Sequence, residues 1–295
     1  MTELRQRMTR DMRVRNFSPQ TELAYINAVT AIAMHYKKSP DLLTQDQIID
    51  YIYHLKDDRK LAWSSINVAA SGLRFFYNVT LEKQSLDITI PEMKYERHLP
   101  EVLSVQQVEQ IINCASNMKR RTMLMTAYAA GLRVSELVNL KVHNIESDRE
   151  MIKVEQGKGK KDRYTLLSKS LLVELRQYWR EYRPSYWLFP GQDPKLPLHR
   201  HSAGSAYNLA RKKAGIKRGK GIHTLRHCFA THLLEMGTDI RRIQILMGHT
   251  CLATTEIYLY VSNASLSKVK SPLDLLDVSE NSKKKVLATN GTASI

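Results

Sequence analysis

The sequence predicts a mainly helical protein with one small β-sheet, divided into an N-terminal helical bundle and a larger α+β domain. Apolar residues recur at helical spacing through most of the chain, and several of these stripes open on Ser or Thr caps. The pattern breaks between residues 84 and 103, where Pro91 and Pro100 favour extended backbone. The segments MIKVEQ and DRYTLLS alternate as strands do, around the basic tip GKGKK at 157–161.

Residues 1–90 read as four short helices. The Arg-rich start (Arg5, Arg7, Arg10, Arg13, Arg15) supplies the first. Ser18 followed by Pro19 caps the second, with Tyr25, Ile26, Val29, Ile32 and Tyr36 as its stripe. Thr44 and Gln47 form a capping box before Ile48, Tyr51 and Leu55, and a fourth helix starts near Ser64. Residues 91–103 read as a linker, on which Lys94 and Arg97 are placed to meet phosphates. Residues 104–270 form the second domain, and 271–295 a tail whose end, NSKKKVLATNGTASI, has the composition of a disordered segment.

In the second domain Ser104 and Gln107 repeat the capping box. A helix over about 121–130 stops at Gly131, and Ser135 is placed to cap the next. Beyond the hairpin, Leu171, Leu172, Leu175, Tyr178 and Trp179 mark a helix closed by Pro184. YWLFPG is a short apolar segment near the core, and residues 202–214 form a further helix. Residues 223–236 make another, with Gly237 and Gly248 at helix C-caps and His249 just past the second. Thr254 and Thr255 are placed to cap a short helix carrying Tyr258.

The net charge of +16 points to a polyanionic partner. Its distribution sharpens this: 12 of the 45 Lys and Arg and 10 of the 29 Asp and Glu lie in residues 1–90, so nearly all the excess falls beyond them. Nucleic acid fits better than an anionic membrane, because no strongly amphipathic basic helix stands alone. Arg211, Lys212, Lys213, Lys217, Arg218 and Lys220 form a basic approach to His223, assigned to contacts with the phosphate backbone. No stretch is long and apolar enough for a membrane span, and the first residues lack the apolar core of a secretory signal. Three scattered cysteines, Cys114, Cys228 and Cys251, make no disulfide framework, which suits a reducing cytoplasm.

The stretch from His223 to Tyr260 concentrates His223, Arg226, His227, His232, His249, Tyr258 and Tyr260. An isolated His on a helix is more often a satisfied or surface residue than a catalyst. A metal site is the next alternative, since His223 and His227 are four apart and Cys228 adjoins them. No Cys-x-x-Cys or His-Glu-x-x-His supports it, so no metal is expected.

The words HTLRHCFATHLL, LMGHT and TTEIY, with Tyr258 nine residues after His249, resemble the second catalytic box of the tyrosine recombinases, the phage integrase family. GLRVSELVNL resembles the first box, and Lys158 in QGKGKKDR matches the family's hairpin lysine. Cys228 and Cys251 stand where small hydroxyl residues are common, at positions that are not catalytic in the family. The resemblance is strong over about 104–262. Residues 18–100 more loosely resemble the SAM-like N-terminal domain of such enzymes.

The resemblance implies the site residues. Arg133 and Arg226 contact the scissile phosphate, with His249 as a hydrogen-bond donor. Tyr258 is the nucleophile and His223 the base that activates it. Lys158 is the acid for the leaving 5′ oxygen, with Lys160 and Lys161 as alternatives. Glu136 matches an acidic residue of the first box, read as an orienting partner. Paired arginines suit the oxygens of a phosphodiester and the charge that grows on them. A phenol, titrating near pH 10, becomes a nucleophile only with such help.

The function implied is site-specific recombination of double-stranded DNA through a 3′-phosphotyrosine bond, with no ATP, metal or other cofactor. It also implies a homo-oligomer, a tetramer on two paired sites, in which a segment such as Leu273, Leu275 and Leu276 docks on a neighbour. A type IB topoisomerase, acting alone, and a DNA-binding protein that no longer cuts are the other readings.

Overall fold

The structure, a computed structural model, describes residues 2–83, 99–155 and 162–261. The chain divides into two compact units, Met1–Arg97 and His98–Ile295.

The first unit is built from α1 (Glu3–Val14), α2 (Pro19–Tyr36), α3 (Gln45–Asp57) and α4 (Trp63–Phe75). Its caps follow the expected chemistry. The Ser18 hydroxyl accepts the Thr21 N–H, and Thr44 and Gln47 satisfy each other's backbone donors. The fourth helix begins at Trp63 rather than Ser64, and Ala62 stands at its cap without a side-chain bond. It continues into one π-helical turn, Phe76–Thr80, which buries Phe76 and Tyr77. The core gathers Met8, Met12, Ile32, Ile48, Ile66 and Leu73. Gly72 sets how closely two helices approach, because a Cβ there would lie 3.0 Å from Tyr25 Cα.

The second unit opens with α5 (Val105–Asn113), whose Ser104–Gln107 capping box forms as expected. Residues 99–103, assigned to the linker from sequence, fall within this unit. Leu103 is buried in its core, its N–H donating to Cys228 Sγ at 3.3 Å and its carbonyl 2.9 Å from His232 Nε2. Next come α6 (Met118–Ala129) and α7 (Val134–Val138). The cap of α7 differs from expectation: Ser135 lies inside the helix, and the Glu136 carboxylate accepts the Arg133 N–H at 2.9 Å instead.

Strand β1 (Ile145–Glu146) adds an edge that the sequence pattern did not indicate, being only two residues long. The hairpin strands are β2 (Met151–Val154) and β3 (Arg163–Leu166). All three pair antiparallel in the order β1-β2-β3, with Ile152 opposite Thr165. The remaining elements are α8 (Lys169–Tyr182), α9 (Arg200–Lys213), α10 (His223–Glu235), α11 (Ile240–Met247) and α12 (Ala253–Glu256).

One core joins Leu124, Leu137, Ile152, Phe189, Tyr207 and Leu225. A smaller one packs Phe229, Ala230, Ile243 and Met247 around Tyr258. Gly131, between α6 and α7, takes φ +59°, and a Cβ on it would lie 2.3 Å from Phe229 Cδ1. Only glycine fits that left-handed turn against that ring.

Candidate active site

Site residues come from five places: the α6–α7 turn with the start of α7, strand β3, the first turns of α10, the loop after α11, and the turn after α12. On α10, His223 is the first residue, and Arg226 and His227 follow one turn later on the same face. Arg226 is almost wholly buried, at 4% exposure. Its guanidinium donates to the Gly131 and Met247 carbonyls and lies 3.1 Å from His249 Nε2. Burial, then the charge of Arg133, pull it down to about 9, against the pull of Glu136, so it stays charged at neutral pH.

Arg133 stands just past Gly131. It donates to Glu136 Oε1 at 2.8 Å and to the Gly248 carbonyl at 3.3 Å. Gly248 caps α11 in the left-handed conformation, which ends the helix and turns His249 back toward Arg226. His249 is held on its other side by Thr255 Oγ1, 2.9 Å from Nδ1. Thr255 is therefore not a helix cap. It lies within α12, buried, and Tyr258 follows two residues beyond that helix's end.

Glu136 is the hub of the cationic cluster. Arg163 on β3 grips both of its oxygens, Nη1 and Nη2 each at 2.8 Å, and its Nε donates to the Leu246 carbonyl. Arg226 Nη1 lies 3.7 Å from the same carboxylate. Burial alone would raise the Glu136 carboxyl, but the hydrogen bonds and charge of Arg163, and then the backbone and side-chain hydrogen bonds of Arg133, hold it down at about 2. The role of Arg163 was missed in the sequence, although strand alternation offered a signal. Arg163 shares a strand face with the buried Thr165, and an arginine turned inward requires a carboxylate.

Tyr258 is 3% exposed, whereas Tyr260 is 75% exposed. The Tyr258 hydroxyl lies 3.1 Å from His227 Nδ1. Burial pushes the phenol up to about 12, with Arg226 and Arg133 pulling the other way. Burial lowers His227 to about 4, assisted by His223 and Arg226. His223 reaches solvent yet is also lowered, by the protein packed around it and then by Arg226 and Arg133. The imidazole that meets the tyrosine is thus His227, while the sequence reading assigned the activating role to His223.

Lys158, Lys160, Lys161, Lys94, Arg97 and the leucines at 273, 275 and 276 lie outside the described residues. Lys212, Lys213, Lys217, Arg218 and Lys220 are exposed. Arg218 also donates to Gln107 Oε1 at 2.9 Å. Arg211 requires a correction: its side chain is buried, and Nη1 donates to the Ile216 and Lys217 carbonyls at 2.6 and 2.8 Å. It closes the loop after α9 and is not presented to a phosphate. Among the described residues no three His, Cys, Asp or Glu side chains gather as a metal site.

Comparison with known proteins gives the family and the fold. Residues 101–264 match the phage integrase family, and residues 4–87 match the phage integrase N-terminal SAM-like domain. A putative integrase/recombinase of Sinorhizobium fredii, y4qK, is 46% identical over 277 residues, covering 94% of this chain and 90% of its own. The tyrosine recombinase XerA of Pyrococcus horikoshii is 35% identical over 234 residues, 77% of this chain and 81% of its own. Among solved structures, XerH recombinase in a post-cleavage complex with its palindromic difH substrate aligns with a TM-score of 0.70 at 19% identity. That alignment covers 86% of this chain and 80% of XerH. A lambda integrase dimer bound to a COC′ core site aligns at 0.69 and 19% identity, over 85% of this chain and 95% of its own. At such identities the likeness is one of fold.

This chain belongs to the phage integrase family and is a tyrosine recombinase, an enzyme of site-specific DNA recombination. The topoisomerase and non-cleaving readings are not favoured.

Proposed function

We propose that this recombinase cleaves each DNA strand by attack of the Tyr258 hydroxyl on a phosphodiester bound by Arg133, Arg226 and His249. The observation that carries this reading is the convergence of those side chains on one small volume. Arg133 and Arg226 share the Glu136 carboxylate, Arg226 touches His249, and Tyr258 lies within the field of both arginines.

Guanidinium donors suit the non-bridging oxygens and stabilise the charge that grows on them in the pentacoordinate transition state. Glu136 and Arg163 fix the two arginines in place before DNA arrives. Lys158 protonates the leaving 5′ oxygen, and His223 faces the DNA at the rim of the site. The 3′-phosphotyrosine keeps the bond energy for rejoining to a partner strand's 5′ hydroxyl, so the cycle needs neither nucleotide nor metal. Lys212, Lys213, Lys217, Arg218 and Lys220, with Lys94, Arg97, Lys160 and Lys161, hold the phosphate backbone without reading sequence.

The working form is a tetramer on two paired sites, the tail joining neighbouring protomers. The enzyme acts in the cytoplasm, in keeping with free Cys114, Cys228 and Cys251.

The test is a nicked suicide duplex, selected from a random pool for binding to the full chain. Wild type should trap a covalent adduct that withstands denaturant, and should do so in EDTA. Tyr258→Phe should bind the duplex and trap nothing. Adduct formation by that variant, or loss in EDTA restored by zinc, would overturn the proposal.

A further inference from the structure

Resting on the reading of Tyr258 as nucleophile, we propose that His227 is the proton acceptor for the Tyr258 hydroxyl. Nδ1 of His227 lies 3.1 Å from that oxygen, within the reach a general base requires. The rings pack with centroids 5.9 Å apart and tilted by 48°, so the contact is held by packing as well as by the hydrogen bond. Tyr258 is buried in one apolar cluster with Phe229, Ala230, Ile243 and Met247. Among the described residues His223 makes no hydrogen bond to Tyr258, although it is the histidine that the family's motif selects.

The electrostatics agree with the geometry. Burial, His223 and Arg226 keep His227 neutral, so Nδ1 is free to accept when Nε2 carries the ring proton. With no DNA bound, the proton stays on the phenol. A phosphodiester entering between Arg133 and Arg226 opposes the cationic field that depresses His227, and bonding to phosphorus makes the phenol acidic.

In the cleavage step the Tyr258 oxygen–phosphorus bond forms and the bond from phosphorus to the 5′ oxygen breaks. The tyrosine proton passes to His227 Nδ1, while Lys158 gives a proton to the 5′ oxygen. On rejoining, a 5′ hydroxyl attacks phosphorus, and the His227 imidazolium returns its proton to the departing Tyr258 oxygen.

The experiment uses the full chain and the suicide duplex in single turnover. His227→Ala should bind the duplex as wild type does and form adduct about 10²-fold more slowly. Added imidazole should restore the rate in proportion to its free-base form, which a purely structural role does not allow. His227→Asn keeps an oxygen acceptor but takes up no proton, and it should also be slow. If His227→Ala fails to fold, His227→Asn decides. A wild-type rate in His227→Asn, or imidazole rescue of His223→Ala but not of His227→Ala, overturns the proposal. Absence of adduct from the wild-type enzyme, or its persistence in Tyr258→Phe, refutes instead the assignment of the nucleophile.

Discussion

At the scale of single residues, each proton transfer needs its own group. A 5′ alkoxide leaves poorly near neutral pH, so loss of its donor should slow cleavage by about 10² to 10⁴-fold. Sulfur in the bridging position leaves as a thiolate, whose conjugate acid titrates near pH 8.5 in a cysteine-like thiol, and needs little help. Lys158→Ala should therefore cleave ordinary DNA slowly and a 5′-bridging phosphorothiolate nearly as fast as wild type. Arg133→Ala should gain no such relief, because the role proposed for it lies on the non-bridging oxygens. Rescue of a Lys160 or Lys161 variant instead would move the acid along the hairpin. Rescue of His227→Ala by sulfur would argue that its defect also lies at the leaving group.

At the scale of elements, one carboxylate ties α7, β3 and α10 together. Glu136 is held near 2 in the folded protein against an ordinary value of 4.5, so its ionised form favours the fold. That contribution is complete above about pH 4.5 and is lost as pH falls toward 2. It amounts to on the order of 3 kcal/mol at neutral pH. Urea unfolding should show wild type far more stable than Glu136→Gln at pH 7 and the two converging below pH 4. A gap independent of pH would mean that the carboxylate's charge does not matter.

The same cluster shows what could be read from sequence. That Arg133, Arg226, His249 and Tyr258 gather in one place could be anticipated because they sit in ordered sequence words. The capping boxes at Thr44 and Ser104 were legible because they are local. Arg163 and His227 were not, because each is defined by a partner distant in sequence, Glu136 and Tyr258. Arg211 misled for the opposite reason. Its neighbours Lys212 and Lys213 are exposed, and only the turn that brings the Ile216 carbonyl back reveals that it faces inward. Thr255 resembled a cap in sequence and proved to be the anchor of His249.

At the scale of the whole molecule, the proposed division of labour is that one protomer binds and an assembly exchanges strands. If the segment with Leu273, Leu275 and Leu276 docks on a neighbour, a chain ending before Ser271 should bind a single site as tightly as the full chain. It should still form adduct on a suicide duplex, yet join strands from two sites poorly. Normal strand exchange by the truncated enzyme would remove the tail from the assembly.

The proposed chemistry turns on covalent attachment of DNA to one phenol. Digesting the trapped adduct and sequencing the DNA-bearing peptide by mass spectrometry tests it directly. The mass should place a nucleotide, linked through its 3′ phosphate, on Tyr258, with a free 5′ hydroxyl on the other DNA end. Attachment at Tyr260 or any other side chain, or a 5′-phosphate linkage, would contradict the account.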